Sequence, residues 1–111
     1  MKNLRNTVTL IGRLGQDPEI IKFDNGNRKA TFSLATNESY KNKDGERIES
    51  TEWHRLTIWG KRVESAEKYL KKGIEIVVEG RLTYNKWEDK EGAKHSTTEI
   101  NVNSYSIISA K

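Results

Sequence analysis

The stretch TEWHRLTIWGKR, residues 51–62, alternates with the two-residue period of a β-strand. Because successive side chains of a strand point to opposite faces, Leu56 and Ile58 form an apolar face suited to a core. The residues of the opposite face are Trp53, Arg55, Thr57, Trp59 and Lys61. A face that would contact water therefore carries two tryptophans, each beside a cation, and the function of the chain has to account for both rings.

The same period recurs on both sides of this strand. The segments that show it are NTVTLIGRLG (6–15), RKATFSLATNES (28–39), IEIVVEGRLTYNKW (74–87) and STTEINVNSYSII (96–108). They predict four more strands, and EIIKF (19–23) is interpreted as a short continuation of the first. The Asn-Gly pair in DNGN (24–27) predicts a tight hairpin turn, and EDKEGAK (88–94) predicts another turn. The polar segment YKNKDGERIES (40–50) predicts a long exposed hairpin loop.

After Gly60 the apolar residues take the spacing of a helix, with Lys71 and Lys72 expected in its last turn and Gly73 at its C-terminal cap. The apolar positions of this predicted helix are Val63, Ala66, Tyr69 and Leu70. The chain is thus predicted to be all-β, a five-stranded Greek-key barrel with one α-helix between strands 3 and 4. That order is typical of the OB-fold, which binds oligonucleotides or oligosaccharides. Other small barrels with one helix share it, so the order alone assigns no function.

Composition narrows the class of protein. The 111 residues predict a single domain over 1–111, and 20 Lys and Arg against 16 Asp and Glu give a net charge of +4. This charge is compatible with a polyanionic partner, although scattered surface lysines produce the same value. With no cysteine and two histidines, we predict no disulfide, metal or cofactor. Neither a secretory signal nor an apolar run of ~20 residues is present, so we expect a cytoplasmic protein without membrane contact.

Exposed rings beside cations are typical of a surface that binds single-stranded nucleic acid. Bases stack on the aromatic rings while Lys and Arg contact the phosphates. Trp53 and Trp59 lie about 20 Å apart at the rise of a strand, a distance that several nucleotides can bridge. Trp87 follows Lys86 in a polar segment, and Tyr40 precedes two lysines. The alternative is that the tryptophans belong to the core, which would bury the neighbouring cations.

Eight short motifs in this order resemble the bacterial single-stranded DNA-binding protein family. They are LGQDPE (14–19), LATNES (34–39), TEWHR (51–55), WGK (59–61), YLKKG (69–73), VEGRL (78–82), KW (86–87) and TTEINVN (97–103). The resemblance covers nearly the whole chain. It implies an OB-fold homotetramer that coats single-stranded DNA in replication, recombination and repair, without catalysis and without a catalytic residue.

The resemblance also implies roles for individual residues. The stacking positions of the family fall on Tyr40, Trp53, Trp59 and Trp87. Its phosphate contacts fall on Arg55, Lys61, Lys72 and Lys86, and, where the alignment is looser, on Lys43 and Arg5. His54 resembles a position at a subunit contact, although an imidazole bonded within one barrel is nearly as well supported by the residues.

The C-terminal end of the sequence differs from that of the family. The family continues through a flexible linker to an acidic tip that recruits enzymes, whereas this sequence ends at Lys111, so we expect tail-dependent protein partners to be lost.

Two alternative functions stay open. They are a primosomal OB-fold protein of the same superfamily, and a protein-interaction module that uses the face with the tryptophans. An enzyme is the least favoured class, because the sequence contains no phosphate-binding loop and no nucleophile elbow.

Overall fold

Strands dominate the fold, and the computed structural model describes them over residues 5–109. In chain order the elements are β1 (Val8–Leu14), β2 (Glu19–Lys22), β3 (Arg28–Lys41), β4 (Arg47–Trp59), α1 (Arg62–Tyr69), β5 (Glu75–Glu88) and β6 (Lys94–Ser109). Within those described residues no helix is both long enough and apolar enough to cross a membrane.

One sheet in the order β1-β5-β6-β4-β3-β2 closes on itself where β1 also pairs with β3, at Arg13 with Ala35 and Leu14 with Leu34. The segment predicted to continue the first strand instead forms β2, which pairs only with β3. With β2 set aside, five strands form a closed all-β barrel, and α1 lies between its third and fourth strands. The prediction of an all-β barrel with one helix in this place is confirmed, and the arrangement is consistent with the OB-fold.

The barrel interior is filled by the predicted apolar faces. Leu56 and Ile58 of β4 are completely buried, as the alternation of the quoted stretch requires. The other core residues are Leu14, Ala30, Phe32, Leu34, Val63, Ala66, Leu70, Ile74, Ile76, Val78, Ile100 and Val102. Val63, Ala66 and Leu70 come from α1 and its end, so the helix covers one opening of the barrel.

The helix is shorter than predicted. It ends at Tyr69, because Leu70 takes an extended conformation (φ −89°, ψ 125°) that buries its side chain, while its N–H still donates to the carbonyl of Ala66. Lys71 and Lys72 therefore follow the helix and do not belong to its last turn. Gly73 adopts φ 88° in the turn into β5, where its N–H donates to the carbonyl of Leu14 at 2.9 Å.

The prediction of a long loop over 40–50 is wrong. β3 and β4 continue as a paired ribbon to Lys41 and Arg47, and only 42–46 forms the turn. There the side-chain oxygen of Asn42 accepts hydrogen bonds from the backbone N–H groups of Asp44 and Glu46. The segment shows no apolar period because most of its residues are exposed, although the strands on both sides of the turn are paired residue by residue. An absence of apolar periodicity here indicates water on both faces, not a loss of strand structure.

Glycine is required where the strands of the barrel approach most closely. A Cβ at Gly80 would lie 2.2 Å from the carbonyl oxygen of Asn101, next to a register shift between β5 and β6. A Cβ at Gly12 would lie 2.3 Å from the carbonyl oxygen of Ala35, beside the pairing that closes the barrel. Both obstacles are backbone atoms, so a side chain could be accommodated only by moving a strand.

We predict that Gly80→Ala lowers the free energy of unfolding by about 1–3 kcal/mol, since the added methyl must displace the backbone of β6. Urea denaturation measures this, with Ser106→Ala at an exposed position of β6 as the control. An unchanged unfolding midpoint in Gly80→Ala would show that the close approach does not constrain the barrel.

Candidate nucleic-acid interface

The outer face of the β3–β4 pair carries the predicted tryptophans. In the β3–β4 pair, Ala35 lies opposite Trp53 and Lys29 lies opposite Trp59. These side chains therefore share the face opposite Leu56 and Ile58. Trp53 is 61% exposed and Trp59 is 48% exposed. Two large rings therefore stand on the outside of a fully packed strand pair. We call the outer face of β3, β4, β6 and β5 that bears Trp53, Trp59 and Trp87 the tryptophan face.

Trp53 lies directly against Gly15, just after β1. A Cβ on Gly15 would be 2.5 Å from Cζ3 of the indole and 3.1 Å from the Ser33 hydroxyl. The backbone of Gly15 is held there because its N–H donates to the carbonyl of Ser33 at 3.0 Å. The glycine thus lets one edge of the indole approach the barrel while most of the ring stays exposed.

Trp87 extends the same face along the β5–β6 ribbon. It is 51% exposed and is the register partner of His95, whose ring stacks on the indole with centroids 5.4 Å apart and planes 22° from parallel. The Nε2 atom of His95 lies 2.8 Å from Oδ2 of Asp89 in the preceding turn. His95 thereby covers one side of Trp87 and fixes its orientation, a contact that sequence reasoning missed.

A polar cluster occupies the middle of the tryptophan face. Glu99 of β6 has a side chain only 12% exposed, and its Oε2 accepts from Arg55 Nε at 3.3 Å and from the Thr57 hydroxyl at 3.2 Å. Its Oε1 accepts from Asn85 Nδ2 at 2.9 Å. These donors compensate for the loss of water around the Glu99 carboxylate, which is nearly buried although it lies on the outer face of the sheet. Thr57, which is predicted to face water, is buried on the same face and donates its hydroxyl to this carboxylate. The sequence does contain a signal for this contact: Glu99 precedes the apolar Ile100 in a strand, so its side chain points to the outer face.

Arg55 is therefore not a free cation. Its Nε is engaged by Glu99, yet 57% of its side chain stays exposed, so the rest of the guanidinium faces solvent in a fixed position. The pair is locally neutral, and positive charge on this side of the molecule has to come from lysines around the tryptophan face.

Tyr40 is not brought to the tryptophan face. Tyr40 pairs with Ile48 and lies an even number of residues from Leu34, so its side chain is on the same face of β3 as Leu34. Trp53 pairs with Ala35 and is on the other face of the β3–β4 ribbon. The ring is nevertheless exposed near the end of the ribbon. Lys86 likewise lies on the opposite side of the β5–β6 ribbon from its neighbour Trp87.

The other predicted cations are exposed and dispersed. Lys61 precedes α1, Lys43 lies in the turn after β3, and Arg5 precedes β1. Lys72 follows α1, and its backbone N–H donates to Oδ1 of Asp17 at 2.8 Å, which ties the α1–β5 connection to the loop after β1. The structure thus distributes these cations around the barrel instead of gathering them in one patch.

His54 faces the barrel side of β4 and is half-buried. Its Nε2 lies 3.0 Å from the hydroxyl of Thr36, a contact within a single chain. Among residues 5–109, no group of three His, Cys, Asp or Glu side chains is placed to hold a metal ion.

Asp89 is the one described carboxyl with a clearly perturbed pKa. The hydrogen bond with His95 lowers the pKa of Asp89, and backbone N–H groups, first that of Ala93, lower it further. Since the pKa is depressed in the folded state, the stabilising effect of this carboxylate is complete above the ordinary Asp value and is lost as pH falls through the folded value.

We predict that His95→Ala raises the pKa of Asp89 toward its ordinary value, because the largest cause of its depression is removed. NMR titration of the side-chain carboxyl carbon measures this, with His54→Ala as the control histidine. If Asp89 titrates identically in His95→Ala and the parent, the pairing that orients the ring on Trp87 is not formed in solution.

Comparison with known proteins places this geometry in one family. The model of the single-strand binding protein family matches residues 5–108. A single-strand binding protein from Plasmodium falciparum, solved in complex with single-stranded DNA, is 37% identical with a TM-score of 0.83, over 98% of this chain and 96% of that one. A deletion mutant of the single-stranded DNA-binding protein from Thermus aquaticus is 29% identical with a TM-score of 0.82, over 93% of this chain. The present chain spans 50% of the length of that Thermus chain.

Proposed function

The chain belongs to the single-strand binding protein family, and we propose that it binds single-stranded DNA through the tryptophan face. The observation that carries the proposal is the exposure of Trp53, Trp59 and Trp87 on one face of a closed barrel. Several large exposed rings on one face mark a surface that a ligand covers, whereas a single exposed ring does not. Unpaired bases suit it, because every base has a face that stacks on an indole irrespective of sequence.

The proposed path of the strand follows the spacing of the rings. Trp53 and Trp59 stand about 20 Å apart along β4, with the Arg55–Glu99 pair between them. Bases stacked on the two rings would leave their connecting phosphates near the exposed guanidinium of Arg55. Bidentate contact between a guanidinium and a phosphate is a favoured geometry, and Arg55 enters it already oriented by Glu99.

Exposed cations are proposed to contact phosphates beyond the rings. These are Arg5, Lys43, Lys61, Lys72 and Lys86, each of which is exposed. Their dispersal around the barrel supports a strand that passes over more than one side of the protein. Tyr40 belongs to this outer part of the proposed path, on the far side of the β3–β4 ribbon.

The proposal is one of binding, with no catalytic step assigned to any residue. Roles in replication, recombination and repair, at the nucleoid in the cytoplasm, follow from the resemblance and form part of the same proposal. A protein-interaction module remains the rival, and salt distinguishes the two. Binding that releases counterions from phosphates weakens steeply with salt, whereas an apolar protein contact does not.

We predict that oligo(dT) quenches the intrinsic fluorescence, because the three tryptophans of the chain are the proposed stacking residues. Trp53→Ala and Trp59→Ala should each weaken binding by about 1–3 kcal/mol. Tyr69→Ala is the control, since this exposed ring lies on α1, away from the tryptophan face. Folded tryptophan variants that bind as tightly as the parent, or binding that ignores salt, would refute the proposed function.

We also propose that the protein assembles into the homotetramer implied by the resemblance. Within the described chain, β1 pairs with β3 only at Arg13 and Leu14, so one edge of its earlier part has no strand partner. Ile11 on β1 is exposed on the outer face of the barrel, where its register partner is Val77. An open strand edge beside an exposed apolar side chain favours association with another copy. The subunit-contact role of His54 stays a prediction.

We predict a tetrameric mass by light scattering at micromolar concentration, and smaller species for Ile11→Lys, which puts a charge on the apolar surface. Ile21→Lys, on the outer face of β2, is the control. A monomeric parent would contradict the proposal, and a dimeric parent would favour the primosomal alternative.

A further inference from the structure

Phe23 is a second exposed ring beside Trp59. It follows β2, is 40% exposed, and stacks on the indole with centroids 5.8 Å apart and planes 15° from parallel. Phe23 directly follows β2 and Trp59 ends β4, and these two strands flank β3, so the contact is made by the fold and not by neighbours in sequence. In this stack each ring covers part of one face of the other, and the pair keeps an outward face for a further stacking partner.

The backbone that carries Phe23 is fixed by the hairpin between β2 and β3. The N–H of Phe23 donates to the carbonyl of Asn27 at 2.8 Å, and its carbonyl accepts from the N–H of Gly26 at 3.0 Å. Gly26 supplies the positive φ of 91° that the tight turn requires, and Asn25 accepts from the Asn27 N–H through its side chain. The backbone that presents the ring is therefore fixed before any ligand arrives.

Lys29 adds a cation to both rings. It is the register partner of Trp59, and its Nζ lies 5.4 Å from the Trp59 centroid and 5.8 Å from the Phe23 centroid. Contacts of this kind are weak at an exposed site, so the ammonium can be drawn to a stronger anionic partner. Within residues 5–109 no carboxylate forms an ion pair with Lys29.

We propose that Phe23, Lys29 and Trp59 form a composite subsite for one nucleotide at the β2–β3 hairpin. The base stacks on the outward face of the Phe23–Trp59 pair and the Lys29 ammonium contacts the adjoining phosphate. This inference rests on the proposed function and extends the strand's path beyond β4, across β3, to the edge of the sheet at β2. It assigns binding roles to two residues, Phe23 and Lys29, that motif comparison did not single out.

The chain offers a matched control for this arrangement. Lys68 places its Nζ 5.3 Å from the centroid of Tyr69, an exposed ring on α1 away from the tryptophan face. If any exposed ring with a lysine above it bound a nucleotide, this pair would do so as well. The proposal requires the two pairs to behave differently.

The test measures oligo(dT) affinity against salt concentration for the full chain and its variants. Phe23→Leu keeps apolar bulk at the hairpin but removes the ring, and should weaken binding on the order of 5- to 100-fold with an unchanged salt slope. Lys29→Met keeps the aliphatic stem and should lower the slope of log affinity against log salt by about 0.7, the value of one phosphate contact on a single strand. Phe23→Tyr, which retains the ring, should bind as the parent does, as should Tyr69→Leu and Lys68→Met.

The outcomes separate this inference from the proposed function. A parent that binds oligo(dT) together with a Phe23→Leu variant of equal affinity would overturn the subsite alone, as would an unchanged slope in Lys29→Met. Equal losses in Phe23→Leu and Tyr69→Leu would also overturn it. A parent that fails to bind oligo(dT) would overturn both. Circular dichroism melts establish that each variant compared is folded.

Discussion

The two-residue alternation of β4 is the constraint on which the rest of the molecule depends. Leu56 and Ile58 are fully buried, so Trp53, Arg55 and Trp59 are forced outward on the same strand. A slip of one residue would put the indoles in the barrel and the leucine in water, and the packing of β3 against β4 excludes it. The packing of Leu56 and Ile58 in the core thus also sets the face from which the rings are presented.

The middle of the tryptophan face is polar and saturated with hydrogen bonds. Glu99 is nearly buried, and both of its oxygens accept from side chains on neighbouring strands. A buried carboxylate without such donors would be strongly destabilising, so the network ties β4, β5 and β6 together at the point where β4 and β6 pair only briefly. The rings consequently stand at the margins of a polar centre in which the charges of Arg55 and Glu99 offset each other.

Local patterns predicted the strands, the buried faces and the outward tryptophans, because each is a property of alternation within one segment. The contacts that complete the interface could not be read this way. Arg55 and Glu99 are 44 positions apart in sequence, and Phe23 meets Trp59 only across an intervening strand. The polar sequence over 40–50 predicts a loop because strands that are exposed on both faces lack an apolar period. Its continuation as a strand is also what puts Tyr40 on the opposite side from Trp53.

Single-stranded DNA is proposed to lie on the tryptophan face, and cross-linking locates the bound DNA most directly. Oligo(dT) substituted with 5-iodouracil at one position after another can be photo-crosslinked to the protein, and the modified residues identified by peptide mass spectrometry. The account predicts adducts on Trp53, Trp59 and Trp87. Adducts confined to Tyr69 and Tyr105, on α1 and the part of β6 beside it, would place the strand on another surface and contradict the account.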